Sequence, residues 1–110
     1  MEIDIAARHF QVTGPLKKYI QEKVEKLNKY SLKLELVHVV LEVQKFHHIC
    51  EITVRGKDLR MTAKNEAADM YAAFDNTLGN IQLQFSRRHD RVKDHKGRRY
   101  SKKSKTERDE

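Results

Sequence analysis

The residues best suited to chemistry in this 110-residue sequence are the cations that crowd its last quarter. Residues 87–110 contain 11 Lys and Arg against 5 Asp and Glu, whereas residues 1–86 contain 12 against 11. Arginine makes forked contacts with phosphate that lysine cannot make. This pattern favours nucleic acid as the partner over a tail that only keeps the protein soluble. The cations assigned to this contact are Arg87, Arg88, Arg91, Lys93, Lys96, Arg98 and Arg99.

Two aromatic residues stand beside further cations in the first third of the sequence. Tyr19 and Tyr30 flank an apolar helical stripe, and Lys23 and Lys26 fall beside them. These rings could stack on unpaired bases while the lysines contact phosphates. Tyrosines that flank an apolar stripe more often form the edge of a core, so we expect packing rather than stacking.

Patterns that would indicate an enzyme or a metal site are weak. The sequence has no glycine-rich phosphate loop, no HExxH and no G-x-S-x-G, and its one cysteine, Cys50, lies in a strand-like run. His47 and His48 could join His89 and His95 in a metal site, but adjacent strand residues point to opposite faces. We therefore expect no catalytic residue, metal or cofactor, and a core position for Cys50.

The C-terminal cations need an element to hold them, and the stretch before them predicts an amphipathic helix. Its apolar residues recur at steps of three and four, so they share one stripe: Met70, Phe74, Leu78, Ile81 and Phe85. Asp69 lies near the helix start, where a carboxylate complements the exposed N–H groups and the positive dipole end. One helix is thus expected to pack by its front half and to present charge at its rear.

Apolar periodicity predicts four strands and a second helix. Alternation over residues 2–8, 36–45 and 48–55 and in the run from Leu59 gives each strand one apolar face, and a helical stripe spans about residues 14–29. The order is β-α-β-β-β-α, with a first crossover long enough for a parallel pair and later connections short enough for hairpins. The predicted fold class is α+β, a two-layer sandwich whose four-stranded mixed sheet carries both helices on one face.

The apolar pattern ends after about residue 93, which divides the chain into two parts. Residues 1–95 are predicted to form one folded domain, and residues 96–110 a flexible basic tail. The first residues lack the basic start and apolar stretch of a signal peptide, and no run approaches the ~20 apolar residues that span a bilayer. We expect a cytoplasmic protein with no membrane partner and no small-molecule substrate.

Several of these residues together resemble one known family, the ribosome hibernation promoting factors, which include the ribosome-associated translation inhibitors. The most specific piece is D-M-Y-A-A-F-D over residues 69–75, close to the family's D-M-Y-A-A-I-D. The resemblance covers about residues 1–99 nearly without gaps, and the length is that of the short form. Supporting pieces are Val12-Thr13, Lys23, Lys26, Leu27, Tyr30, Val39-Val40-Leu41, Lys45, His48 and His95-Lys96-Gly97.

The resemblance implies a fold related in shape to double-stranded RNA-binding domains. It also implies docking on the small (30S) ribosomal subunit, through 16S ribosomal RNA, at the messenger channel and the A and P tRNA sites. Such a protein would block translation and preserve inactive ribosomes under stress or in stationary phase, and a second hibernation factor stays open as a partner. The resemblance places RNA contacts at Lys23, Lys26, Arg87, Arg91 and Lys93, to which charge alone adds Arg88, Lys96, Arg98 and Arg99.

The sequence departs from the family pattern in the second helix. Asn80 and Leu83 stand where many members carry cations, so that part of the basic face is expected to be weaker. Two other functions stay open from the residues. One is a general binder of structured RNA, which would not compete with messenger or tRNA for the ribosome. The other is a transcription-modulating protein-interaction module, whose complexes would survive ribonuclease.

Overall fold

A computed structural model describes residues 1–30 and 33–93, with the backbone alone described at Tyr30 and at residues 88–93. The order β-α-β-β-β-α confirms the predicted fold class. The elements are β1 (Glu2–Arg8), α1 (Gly14–Glu25), a 3-10 helix (Lys26–Tyr30), β2 (Leu34–Gln44), β3 (His47–Gly56), β4 (Leu59–Ala67) and α2 (Met70–Lys93). The strands lie in the order β1-β2-β3-β4, with β1 and β2 parallel and the other neighbours antiparallel.

Helix α1 begins and ends for local reasons. Thr13 is its N-cap, with its hydroxyl accepting a hydrogen bond from the Leu16 N–H at 3.2 Å, and Pro15 lies in the first turn. The α-helix is shorter than predicted because the Lys26 N–H donates to the Lys23 carbonyl, a three-residue step that tightens the chain into a 3-10 helix. Leu27 is nevertheless fully buried.

The core lies between one face of the sheet and the two helices. Every member of the predicted α2 stripe is buried, as are the inward residues of the two central strands apart from Val43, which is partly buried. The helix starts where expected, because the Asp69 carboxylate accepts a hydrogen bond from the Ala72 N–H at 2.9 Å. The buried strand residues beneath the helices are Leu34, Val37, Val39, Leu41, Cys50, Ile52, Val54 and Met61.

The opposite face of the sheet is polar and bears close contacts between histidines and carboxylates. His38 Nδ1 lies 2.8 Å from the carboxylate of Asp4 on the neighbouring strand, and His47 contacts Glu66. One face covered and one face open is the arrangement that the alternating strands predict. Within the described residues, neither helix has the length and apolar character needed to cross a membrane.

The two helices run in the same direction, which gives the molecule two distinct ends. Thr77 Oγ1 lies 3.2 Å from the Cys50 carbonyl, and Gln84 Nε2 donates to the Thr62 carbonyl at 3.2 Å, so α2 runs antiparallel to β4. Because β4 has the same direction as β1 and α1 returns along β1, α1 and α2 are parallel. The C-terminal ends of both helices therefore lie beside the β3–β4 turn, and the β2–β3 turn lies at the other end.

Candidate nucleic-acid interface

The end of the molecule that holds the β3–β4 turn concentrates positive charge, and we call it the cationic end. Chain segments that are far apart in sequence supply it: the end of α1, the entry to β2, the β3–β4 turn and α2. Among the described side chains, its acids are Glu2, Glu25, Glu35 and Asp58, so cations outnumber acids by two to one. Its cations are Lys23, Lys26, Lys29, Lys33, Arg55, Lys57, Arg60 and Arg87.

The β3–β4 turn is fixed against the entry to β2 by a close backbone approach. The Lys57 N–H donates to the Lys33 carbonyl at 3.1 Å. A Cβ on Gly56 would lie 2.4 Å from that same carbonyl oxygen, so only glycine fits there. Asp58 completes the turn at a φ of 65°, a conformation that Asp tolerates better than most residues. The turn thereby holds Lys33 and Lys57 next to each other.

Arg55 and Arg60 reach the same end by strand pairing. They are directly opposite each other across β3 and β4, and both side chains are exposed. Like charges in such a pair repel, at a cost of a few tenths of a kcal/mol to about 1 kcal/mol. Phosphate groups of a bound polyanion would relieve that repulsion, so this pair suits an anionic ligand better than an empty surface.

Arg87 lies on the flank of α2 that faces β4. It borders a shallow groove of about 310 Å³ between the helix and this edge strand. Lys64 stands on the strand side of the groove, and Asn80 and Leu83 on the helix side, with 48% of the Leu83 side chain exposed. Asn80 and Leu83, which stand where many family members carry cations, therefore lie next to Arg87 on the surface. Their lack of charge makes this part of the α2 surface less basic.

Lys23 and Lys26 lie on the other helix, separated from Arg87 by the width of the helical layer. Lys26 is exposed, whereas Lys23 is half-buried with its Nζ 5.4 Å from the centroid of the Tyr19 ring. This ring–ammonium contact holds Lys23 against α1. The structure thus places the three predicted site residues with described side chains at one end, with Lys23 and Lys26 at the end of α1 and Arg87 on α2.

Tyr19 itself links the two helices. Its hydroxyl donates to the Asp75 carboxylate at 2.7 Å, and its ring packs edge-on against Tyr71 at 5.1 Å and Phe74 at 5.9 Å. The hydrogen bond to Asp75, together with burial, raises the pKa of Tyr19 above its ordinary value. The expected packing is observed for this ring, whereas the ring of Tyr30 lies outside the described side chains.

Several predicted contacts fall where the structure gives no side chains. The backbone of α2 continues to Lys93, so Arg88, Arg91 and Lys93 are on the helix as expected. Their side chains lie outside the description, as does all of residues 94–110 with Lys96, Arg98, Arg99 and the predicted tail. The RNA contacts assigned to these residues stay predictions.

The residues considered for catalysis or metal binding have other surroundings. Cys50 is completely buried, and burial raises the pKa of its thiol to about 12, so the reactive thiolate is suppressed. His47 contacts Glu66 on the open face of the sheet, and the described part of the chain holds no group of three or more His, Cys, Asp or Glu that could bind a metal. The side chains of His89 and His95 lie outside the description.

Sequence reasoning missed five members of the cationic end. Lys29, Lys33, Arg55, Lys57 and Arg60 are scattered among acids in a segment whose total charge is nearly neutral, so the charge count hid them. The signal that could have found them is the short hairpin around Gly56-Lys57-Asp58. A two-residue turn places the residues before and after it opposite each other, and so collects Arg55, Lys57 and Arg60 at one place.

Comparisons with known proteins agree with this fold. Residues 3–93 match the family model described as Sigma 54 modulation protein / S30EA ribosomal protein. The chain is 32% identical over 95 residues to the ribosome hibernation promoting factor of Salmonella typhimurium strain LT2. It is 30% identical over 95 residues to the protein of the same name from Escherichia coli strain K12. Each alignment covers 86% of this chain and 100% of the relative.

Two solved structures share the architecture. The crystal structure of the N-terminal domain of Protein Y from Thermus thermophilus matches with a TM-score of 0.72 at 27% identity, over 79% of this chain and 98% of that one. A ribosomal subunit interface protein from Coxiella burnetii matches with a TM-score of 0.72 at 18% identity, over 79% of this chain and 96% of that one. At 18% identity the second match supports the fold alone.

Proposed function

The chain belongs to the Sigma 54 modulation protein / S30EA ribosomal protein family, and from that premise we propose that it is a ribosome hibernation factor. It binds the small (30S) subunit through 16S ribosomal RNA, at the messenger channel and the A and P tRNA sites. A subunit occupied in this way cannot start translation, so inactive ribosomes are preserved in the cytoplasm under stress or in stationary phase. The observation that carries the proposal is the collection of cations at one end of the fold.

The proposed mechanism is steric and electrostatic, and it needs no catalytic step. The sheet and the two helices form a compact wedge, and the cationic end seats it against RNA phosphates. Lys23 and Lys26 contact RNA from α1, and Arg87 contacts it from α2. Arg88, Arg91 and Lys93 extend that contact along the helix, while Lys96, Arg98 and Arg99 extend it into the tail. In this division, residues 1–95 are the ribosome-binding domain and residues 96–110 a flexible basic extension.

Phosphate contacts of this kind make binding depend steeply on salt. Each cation that neutralises a phosphate releases condensed counterions, so the logarithm of the binding constant falls linearly with the logarithm of the salt concentration. If about six phosphates are contacted, the slope is about −4 to −5. A docking surface dominated by apolar protein contacts would give a much smaller slope.

The experiment that tests the function is co-sedimentation with vacant small subunits in sucrose gradients at two salt concentrations. The proposal predicts binding at low salt, weaker binding at high salt, and displacement of the protein by messenger with bound tRNA. Binding that messenger and tRNA do not displace would instead indicate a general binder of structured RNA. A complex that survives complete ribonuclease digestion would indicate a protein-interaction module.

A further inference from the structure

The β2–β3 hairpin protrudes beyond the rest of the sheet. Pairing with β1 ends at Glu42, and pairing with β4 begins only at His48, whereas β2 and β3 continue to pair as far as Gln44 and His47. At about 3.3 Å per residue, the connecting residues Lys45 and Phe46 extend roughly 7 Å past both neighbouring strands. We call these two residues the hairpin tip.

Neither residue of the hairpin tip serves the fold. Lys45 has a φ of 54°, a left-handed conformation that glycine, asparagine and aspartate adopt at much lower cost than lysine. Phe46 is 88% exposed, about twice as much as any other large apolar side chain among the described residues. The β3–β4 turn, by contrast, has Asp58 at its left-handed position, and aspartate adopts this conformation at lower cost than lysine.

The surroundings of Phe46 indicate the chemistry of its partner. Its chain neighbours are polar or cationic: Gln44, Lys45 and His47. A phenylalanine that anchors a protein–protein interface normally lies in the core of the contact patch, where charged residues are depleted. A single aromatic ring beside an ammonium group instead matches an unpaired nucleotide, whose base offers a flat surface and whose phosphate offers a negative charge.

We propose that the hairpin tip is a second RNA contact, in which Phe46 stacks on an unpaired base and Lys45 contacts a neighbouring phosphate. The proposal rests on the proposed function, because the RNA is that of the small subunit. Strand β3 separates the hairpin tip from the cationic end by about 30 Å. The protein therefore contacts RNA at two points, the cationic end through charge and the hairpin tip through stacking. Only RNA that presents a phosphate surface and an unpaired base at this distance can make both contacts.

The first experiment uses the absence of tryptophan from the chain. In a Phe46→Trp variant, the protein's own indole emission comes only from the hairpin tip. The emission of subunits mixed with the natural chain, which has no tryptophan, is subtracted at each point of the titration. Titration with vacant small subunits should quench this emission, because a stacked base quenches indole fluorescence. A blue shift without quenching would place the ring in an apolar protein pocket, and an unchanged spectrum would leave it in solvent; either result overturns the proposal.

The second experiment separates stacking from simple apolarity by affinity. Phe46→Leu keeps an apolar side chain but removes the ring, and should weaken subunit binding roughly 5- to 150-fold. Phe46→Tyr keeps the ring and should bind within about 2-fold of the natural chain. Equal binding by the Leu variant overturns the proposal while the hibernation function stands. Failure of the natural chain itself to bind subunits would overturn the function instead, so the two failures are distinguishable.

Discussion

The β3–β4 turn and the β2–β3 turn lie at opposite ends of the molecule and differ in how well their residues suit the backbone. At the cationic end, Gly56 and Asp58 supply a turn that suits the backbone, and the charged side chains project from a well-determined frame. At the other end, Lys45 and Phe46 form a turn that the backbone disfavours, and expose a ring to water. Fold stability explains the composition of the first turn, whereas the composition of the second is explained by the RNA contact that we propose for Phe46.

The largest effect should come from reversing the charge of the cationic end, compared with the same change of charge at the other end. The triple variant Arg87→Glu, Arg91→Glu, Lys93→Glu should lower affinity for small subunits by about 100-fold or more, because three attractive phosphate contacts become repulsive. Co-sedimentation at low salt measures this loss, and circular dichroism checks that the fold is intact.

The matched control reverses three exposed cations at the other end: Arg8→Glu, Lys17→Glu and Lys18→Glu. It changes the net charge by the same amount. Because the control leaves Lys45 and Phe46 of the hairpin tip unchanged, we expect it to lose at most several-fold in affinity. A loss as large as that of the first triple variant would show that total charge matters and that the cationic end is not the docking surface.

The next effect concerns the glycine that fixes the β3–β4 turn. In Gly56→Ala, the new methyl group meets the Lys33 carbonyl oxygen at 2.4 Å, and this backbone atom cannot move aside cheaply. We expect the free energy of unfolding to fall by about 1–3 kcal/mol. In Gly79→Ala, on the exposed side of α2, nothing lies within 4 Å of the new atom, so helix propensity should raise that free energy by about 0.5–1 kcal/mol.

Urea denaturation measures both glycine variants. Equal destabilisation in the two variants would contradict the close approach at Gly56. Because the same turn holds Lys57 beside Lys33, Gly56→Ala should also weaken subunit binding by several-fold, whereas Gly79→Ala should leave it unchanged.

A smaller effect should appear at the left-handed residues of the two turns. Lys45→Asn removes the penalty of a lysine at positive φ and should raise the free energy of unfolding by about 0.5–1 kcal/mol. Asp58→Asn exchanges two residues that both tolerate this conformation and should change it by less than about 0.5 kcal/mol. Thermal denaturation of the two variants side by side checks the contrast. Destabilisation by Lys45→Asn would mean that the lysine does stabilise its turn.

The smallest effect concerns Tyr19, which links α1 to α2 by a hydrogen bond and ring packing. Its pKa is raised above the ordinary value of 10.0, mainly by the hydrogen bond to Asp75. A raised folded-state pKa stabilises the protein fully below pH 10, and that stability is lost as the pH rises through the folded-state value. Tyr19→Phe should therefore lower stability by at most about 1 kcal/mol below pH 10, and the difference should shrink above it. A pH-independent difference would contradict the assigned bond.

The sequence predicted the fold well because each element carried its own periodic signal. The α2 stripe and the alternation in β2 and β3 are local patterns, and the short connections left few topologies to choose from. The end of α1 was misjudged, because the switch to a 3-10 helix at Lys26 keeps Leu27 buried and so leaves the apolar spacing unchanged. Apolar periodicity cannot report such a change.

The candidate site was only partly predictable. Arg87 stood out because cations crowd the sequence after it, whereas Arg55 and Arg60 become neighbours only through strand pairing. Phe46 escaped notice for a different reason. A single apolar residue between a cation and two histidines fits a buried position as well as an exposed one, and only the protruding hairpin shows which one it takes.

Site-directed cross-linking tests the central claim most directly. Cys50 is buried and its thiol has a pKa of about 12, so a cysteine introduced by Lys57→Cys or Lys18→Cys is the reactive one. Each variant, carrying a photoactivatable probe, is bound to vacant small subunits and irradiated. Cross-links to 16S ribosomal RNA are expected in high yield from position 57, at the cationic end. A much lower yield is expected from position 18, which lies on the face of α1 opposite the buried residues Leu16 and Ile20. Equal yields, or a higher yield from position 18, would contradict the claim.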